Sequence, residues 1–195
     1  MPISMKVSID FSQFKQALSQ LGEKHFRAAG MIAVNDTARQ ANNLAVKLVA
    51  KESGLKSSDV RKRVRIIRAS RSTLTAIVRG SGRALPLYTF NARQTKAGVS
   101  AKAWGKRKVY RGSFIATMRT GHVGVFTRTG DDRLPIKELF GPGVAGTMGR
   151  AEVRAQIEAL IRERLPINVK RQMERRLRAI SGKARLAAAA KSKLR

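Results

Sequence analysis

Apolar and polar residues alternate at the start of the chain, where Met5, Val7 and Ile9 are separated by polar side chains. A period of two is typical of a strand with one buried face, so a short strand is predicted here. Apolar residues then recur at helical spacing between positions 11 and 21. This spacing predicts a first helix, which Gly22 is expected to end or bend.

A long helix is predicted from His25 to Ser53, where the apolar residues return every three or four positions. Ser53-Gly54 supplies the stop signal. Small residues dominate the apolar stripe, so a neighbouring helix or sheet can approach closely, and we interpret the stripe as core. The stripe consists of Phe26, Ala29, Ala33, Thr37, Ala41, Leu44 and Leu48.

The middle of the chain is predicted to be rich in strands. A short helix around Asp59 to Arg63, capped by Ser57 or Asp59, precedes them. Alternating apolar residues predict strands beginning at Val64 and at Leu74. The further extended segments are at 87–90, 114–118, 123–127 and 134–136, with a hairpin turn at 120–121.

The last part of the chain is predicted to be helical, after a break at Gly141-Pro142-Gly143. Pro166 is expected to kink the helix or start a new one, because proline cannot donate the backbone bond of the preceding turn. Ser181-Gly182 is expected to end it. The shared apolar face consists of Val153, Ile157, Leu160, Ile161, Leu165, Val169, Met173, Leu177 and Ile180.

These elements predict an α+β fold, with long N-terminal helices packed on a small, mostly antiparallel β-sheet and with helices at the C-terminus. A chain of 195 residues suits one domain, which we place at 1–182. Residues 91–111 are predicted to protrude from it as an extended basic arm or hairpin. Residues 183–195 are predicted to be a basic, frayed tail.

Charge changes the picture more than any motif does. The chain has 41 Lys+Arg and 12 Asp+Glu, which gives a formal net charge of +29. No acidic residue occurs between Val60 and Gly130, while seventeen Lys and Arg fall in that span. Such a field attracts polyanions, so a nucleic acid or an acidic protein surface is the expected partner.

The candidate binding residues form two groups, a stripe over 61–71 and the arm over 91–111. On a strand, Arg61, Arg63 and Arg65 would share one face. The alternative is a solvated basic edge that discourages sheet aggregation. In the arm, aromatic residues among cations suggest base stacking, or an anchor for a protein interface. The candidates are Arg61, Lys62, Arg63, Arg65, Arg68, Arg71, Arg93, Lys96, Lys102, Trp104, Lys106, Arg107, Lys108, Tyr110 and Arg111.

No catalytic or cofactor motif is found. There is no Cys, and His25 and His122 have no neighbours typical of a metal site or a triad, so both are interpreted as structural. Asp131-Asp132 is the one acidic pair and is expected in a surface loop. The sequence has no phosphate loop, no nucleophile elbow and no apolar run long enough for a membrane span. We therefore expect neither an enzyme nor a cofactor, and no membrane partner.

Three motifs nevertheless suggest a family. LPLYTFNARQTKAGVSAKAW, then RGSFIATMRTGHVGVFTR and RLPIKELFGPGV, span residues 85 to 144. They resemble the phage and prophage minor tail protein Z family of lambda-like, long-tailed phages, and the helical flanks match in length and order. The resemblance implies a virion protein without catalytic residues, on a small α+β fold.

The resemblance also implies a place and partners. It implies a tail completion protein at the head-proximal end of a long non-contractile tail, assembled in the host cytoplasm and needed for head–tail joining. The tail terminator, the tail tube or the head–tail connector would be neighbours, and packaged double-stranded DNA a further contact. A homo-oligomeric ring, with six subunits to match the tail, is compatible with this role.

Two other classes stay open. An independent basic nucleic-acid-binding protein would have the same charge, and a metal-dependent nuclease using Asp131 and Asp132 is the remote third. The interpretation as a tail protein adds one hypothesis about the basic arm. Residues 91–111 are expected to be disordered in the free protein and ordered in the assembled neck.

Overall fold

The computed structural model describes residues 1–9 and 22–192. The fold is α+β, with one long helix near the N-terminus, small antiparallel sheets and helices at the C-terminus, as predicted. The helix predicted over 11–21 lies outside the described residues. The helices are α1 (Glu23–Ser53), α2 (Ser57–Arg61), α3 (Val144–Met148) and α4 (Ala151–Ser192).

The strands are short and come mostly from the middle of the chain. Two 3-10 turns, Leu87–Thr89 and Ala103–Gly105, interrupt them. The strands are β1 (Ile3–Ser8), β2 (Val64–Ile67), β3 (Thr75–Gly80), β4 (Leu85–Pro86), β5 (Arg93–Thr95), β6 (Gly98–Ala101), β7 (Lys108–Arg111), β8 (Ser113–Thr117), β9 (Val123–Arg128), β10 (Ile136–Glu138) and β11 (Phe140–Gly141).

The strands make four small sheets among the described residues. One has the order β1-β3-β2, and a two-stranded sheet pairs β11 with β4. The predicted hairpin is β8-β9, with Phe114 opposite Phe126, and β10 adds to it on the other edge of β9. The fourth sheet is an antiparallel meander, β5-β6-β7, with Val99 opposite Tyr110.

The chain forms two compact units, each assembled from separate stretches of sequence. The first unit is Met1–Ser4, Asn42–Arg65 and Arg79–Ile157. The second is Met5–Ala41, Ile66–Val78 and the residues from Glu158 onward. The division falls inside the two long helices and inside β1, β2 and β3. The prediction of one domain over 1–182 stays a prediction.

The core of the first unit forms around Leu85, Leu87 and Phe90, all at most 1% exposed. The strand predicted over 87–90 is wrong, because these residues form a 3-10 turn. Its amide bond runs from Phe90 N to Leu87 O at 3.1 Å. Leu87 and Phe90 are three residues apart, so a 3-10 turn places both side chains on the same buried side. In a strand, residues three apart point to opposite faces.

The core of the second unit rests on the small-residue stripe of α1. Phe26, Ala29, Ala33 and Thr37 are fully buried, which confirms the core interpretation for this part of the stripe. Ala41 is buried as well, but Leu44 and Leu48 are only half-buried. Asn168 on α4 donates from Nδ2 to the Thr37 hydroxyl at 2.9 Å. Because both groups are buried, this bond satisfies two polar side chains that would otherwise destabilise the unit.

The predicted start of α2 and the predicted stop at Ser181-Gly182 are wrong. No new helix starts at Pro166, and a kink there stays a prediction. α2 begins at Ser57, and Lys56 at its N-cap makes no side-chain capping bond. α4 continues through Pro166 as one helix, and it continues past Ser181-Gly182 to Ser192. The Ser181 hydroxyl donates to Leu177 O at 3.0 Å, so it stays within the helix. The alanine-rich sequence after Gly182 then favours helix over a stop.

Residues 91–111, predicted as an extended arm, contain the β5-β6-β7 meander. Val99, Ser100 and Ala101 in β6 are buried, so the middle strand packs into the first unit. The cations lie on β5, on β7 and in the connections. Whether this segment is ordered in the free protein is a separate matter that stays a prediction.

Candidate polyanion-binding surface

The 61–71 stripe does not lie on one strand. Arg61 ends α2, Arg63 lies in the turn after it, and Arg65 lies in β2. The predicted shared strand face is therefore wrong, since a helical turn separates Arg61 from Arg65: Arg63 N donates to Val60 O at 2.9 Å. Arg68 and Arg71 belong to the second unit and the others to the first.

A cationic depression of about 570 Å³ lies in the first unit. Its lining includes three predicted residues, Lys62, Arg63 and Arg65. It also includes Arg79 from β3 and Arg83 from the following loop, neither of which is among the binding residues predicted from the sequence. The rest of the lining is Pro2, Gly80, Ser81 and Gly82. We call this site the basic depression, after its five cations Lys62, Arg63, Arg65, Arg79 and Arg83.

The backbone of the 80–83 loop holds the basic depression in shape. Ser81 N donates to Arg63 O at 2.9 Å, and Ser81 O accepts from Ala145 N at 3.0 Å. Gly82 lies so close to the Met1 carbonyl that a Cβ would collide with it. The loop is thus tied by main-chain contacts, and its glycines allow the close approach. The cationic side chains take no part in these contacts.

The five cations have no anionic partner in the described part of the chain. Within residues 1–9 and 22–192, the side chains of Lys62, Arg63, Arg65, Arg79 and Arg83 make no ion pair and no hydrogen bond. The Arg83 backbone N–H donates to Ser81 Oγ at 3.5 Å, which leaves its guanidinium free. None of the nine lining residues is acidic. A concave surface of one sign concentrates the electric field, and it attracts counter-ions more strongly than the same charges spread on a flat surface.

One weak signal in the sequence could have found Arg79. It alternates with the buried Val78 and Gly80, which places its side chain on the outer face of β3. β3 neighbours β2 in the sheet, and β2 carries Arg65. The sequence does not give that strand order. Arg83 had no comparable signal, because its place follows from the folded loop.

The cations of the meander differ from one another. Arg107 is engaged within the meander: its Nη1 donates to Ser100 Oγ at 3.1 Å and to the Asn91 carbonyl at 3.4 Å. It thereby joins the start of the segment to β6. The other cations are exposed and lie on the strands or turns: Arg93, Lys96, Lys102, Lys106, Lys108 and Arg111.

Trp104 is held in an unusual backbone conformation with its side chain half exposed. Its φ is 56°, in the left-handed region, which costs a non-glycine residue about 1–2 kcal/mol. Gly105 follows with φ 75°, packed against the Glu52 carbonyl at the end of α1. The indole is 48% exposed. Packing on a protein partner and stacking on bases both need such exposure.

Tyr110 lies on β7 beside a groove of about 520 Å³. Burial raises the pKa of its phenol above the ordinary value, because desolvation disfavours the phenolate. The hydroxyl is therefore neutral at physiological pH and adds no negative charge to the basic surface. The groove is lined by Lys108, Val109, Tyr110, Arg111, Thr127 and Leu139.

Residues 13–183 match the family model of prophage minor tail protein Z. The chain belongs to that family. No match was found among curated proteins or among solved structures.

Membership in the minor tail protein Z family makes the protein a component of the phage tail, and so of the virion. The matched range includes both the basic depression and the whole meander. A tail protein contacts other components of the tail. The match confirms the family that the motifs between 85 and 144 suggested.

The family motifs now have positions in the fold. Ala92 to Gly98 forms β5 and the turn into β6, and the GSFIATM motif forms β8. Gln94 joins the two, because its Oε1 accepts from Ile115 N at 2.9 Å. Ser113 joins them again, with its Oγ accepting from Val99 N at 3.1 Å. The motif residues thus fasten the meander to the β8-β9 hairpin.

The histidine and the acidic pair that were considered as metal-binding or catalytic groups lie in different parts of the β8–β10 region. His122 Nε2 is 2.8 Å from Glu138 Oε1, which joins the hairpin turn to β10. Asp131 and Asp132 lie in the exposed turn between β9 and β10. Among the described residues, no three His, Asp or Glu side chains come together in a way that could hold a metal ion. No helix in that part of the chain is long and apolar enough to cross a membrane.

Proposed function

We propose that this minor tail protein completes the tail at its head-proximal end and helps the finished tail to join the filled head. One observation carries the proposal: a tail protein presents five unpaired cations in one depression, and its meander carries further exposed cations. Such a surface suits acidic neighbours. Candidate neighbours are the tail terminator, the tail tube, the head–tail connector and the end of the packaged DNA.

A ring of subunits fits the same role, with six as the number that matches a sixfold tail. Copies that each carry a formal charge of +29 repel one another. A ring of them would be stabilised by acidic neighbours outside it or by DNA passing through its centre. Isolated protein is therefore expected to be monomeric at low salt, and to assemble when such a partner is added.

The test uses tails assembled without this chain and separately purified, filled heads. Adding the purified protein is expected to restore joining, counted as infectious particles and as joined particles in electron micrographs. The matched control adds the same amount of heat-inactivated protein. Joined particles at normal yield without the chain would contradict the proposal.

A second candidate is an independent nucleic-acid-binding protein, which the unpaired cations of the basic depression also favour. The two differ in how firmly the isolated protein holds free duplex. An independent binder should bind tightly, with a steep loss of affinity as salt rises. A tail component need bind free duplex only weakly, and it should co-purify with tails.

A further inference from the structure

We infer that the basic depression, rather than the meander, is the place where this protein grips the phosphate backbone of a nucleic acid. The inference rests on the DNA contact in the proposed function and names its site. The residues are Lys62, Arg63, Arg65, Arg79 and Arg83.

The first argument is the chemistry of the lining. A volume of about 570 Å³ would suit a small molecule. Pockets for such ligands are lined mainly by apolar and aromatic side chains, however, and this one is lined by five cations, a serine, two glycines and a proline. It offers donors and positive charge, and Pro2 is the one apolar side chain among its nine lining residues. The ligand it fits is a polyanion with several closely spaced charges.

The second argument is that these side chains are available. The six exposed cations of the meander are available as well, so availability permits binding at the depression but does not by itself favour it over the meander. Arg107 in the meander and Arg128 in β9, by contrast, already donate to backbone carbonyls, to Asn91 O at 3.4 Å and to Arg133 O at 2.7 Å. The five cations of the depression have no such partner among the described residues. Binding a phosphate backbone there would break no hydrogen bond within the described fold.

The third argument concerns shape. Four arginines supply planar guanidinium groups, which bind phosphate oxygens in pairs, and one lysine supplies a point charge. They converge from the turn after α2, from β2, from β3 and from the 80–83 loop. Contacts to phosphate oxygens carry no sequence information, so binding through the phosphate backbone is expected to be independent of sequence.

The test compares two variants with equal loss of charge. The first carries Arg65→Gln, Arg79→Gln and Arg83→Gln in the depression. The matched control carries Arg93→Gln, Lys102→Gln and Lys106→Gln, which are exposed meander positions. Binding of the full chain to a short fluorescent duplex is measured by anisotropy, between about 50 and 200 mM salt. Unfolding curves confirm that both variants fold.

We expect the depression variant to lose at least about tenfold in affinity, and the slope of log K against log salt to fall by about 3, since each lost phosphate contact removes about 0.9. The control variant should change the slope by less than about 1. A further variant with Arg65→Lys, Arg79→Lys and Arg83→Lys keeps the charge, so it should restore the salt slope but only part of the affinity, because lysine does not bind phosphate oxygens in pairs.

Equal losses in the two glutamine variants would overturn the inference, because the whole field and not the depression would then hold the duplex. Absence of duplex binding by the unchanged protein, with binding to an acidic tail protein instead, would also overturn it. The joining assay separates this from the proposed function. If the depression variant loses duplex binding but joins tails to heads normally, the site exists and the proposed DNA contact fails.

Discussion

At the scale of single residues, Gly98 shows how little freedom the meander has. Its φ is 139°, a conformation that side chains other than glycine rarely adopt. A Cβ at this position would also collide with the Tyr110 carbonyl on β7. Gly112, between β7 and β8, has φ 69° but no atom within 4 Å of its Cβ position. A substitution at Gly112 therefore introduces backbone strain alone, whereas one at Gly98 introduces strain and a steric collision.

We expect Gly98→Ala to lower the free energy of unfolding by more than about 3 kcal/mol, since strain and collision add. Gly112→Ala should cost only the strain, about 1–2 kcal/mol. Urea denaturation of both variants measures the difference. Equal losses would mean that β7 moves aside freely, contrary to the packing described.

The positions of single cations show how much of the candidate binding site could be predicted from the sequence. Charge density grouped Lys62, Arg63 and Arg65 because they are close in sequence, and all three line the basic depression. It could not add Arg79 and Arg83, which reach the depression only through the order of strands and the fold of a loop. Nor could it tell that Arg107 is occupied by Ser100 and Asn91, since free and engaged arginines have the same sequence signal.

At the scale of elements, the meander leads to two opposite expectations. The sequence suggested that 91–111 is disordered in the free protein. β6, however, is paired on both edges, and Val99 and Ala101 are fully buried. A central strand with both edges paired and a buried face opens only when the surrounding unit opens.

Hydrogen exchange on the isolated protein decides between them. We expect slow exchange at Val99 and Ala101 and fast exchange at Lys96 and Ala97 in the turn, with the buried part of α1 as the protected reference. Uniformly fast exchange across 91–111 would support disorder and contradict the packing of β6.

Periodicity predicted the elements well where one physical signal dominated. The long α1 and the β8-β9 hairpin follow from clear periods of apolar residues and from turn glycines. It failed at 87–90, because a 3-10 turn and a strand can each bury two apolar residues in so short a segment. It failed at Ser181-Gly182 as well, because local stop signals there compete with an alanine-rich continuation.

At the scale of the whole molecule, charge opposes folding. A formal net charge of +29 destabilises the compact state through self-repulsion, and the cations of the basic depression contribute without compensation from a described partner. Salt screens this repulsion, since the Debye length falls from about 10 Å at 0.1 M to about 3 Å at 1 M. Stability should therefore rise with salt.

We expect Tm to rise as sodium chloride is increased from low to high concentration, by about 2–4 °C for each kcal/mol of repulsion relieved. The variant with Arg65→Gln, Arg79→Gln and Arg83→Gln should melt higher than the unchanged protein at low salt and respond less to added salt. Thermal unfolding followed by circular dichroism measures both. A Tm that falls with salt would mean that ion pairs dominate instead.

The half-exposed indole of Trp104 has a practical consequence. It is the single tryptophan of the chain, so excitation at the red edge of aromatic absorption yields light from this one position. The emission wavelength of this tryptophan and its quenching by acrylamide then report how exposed the β6–β7 connection is, without any added label. The molecule thus carries its own optical reporter at an exposed position of the β6–β7 connection.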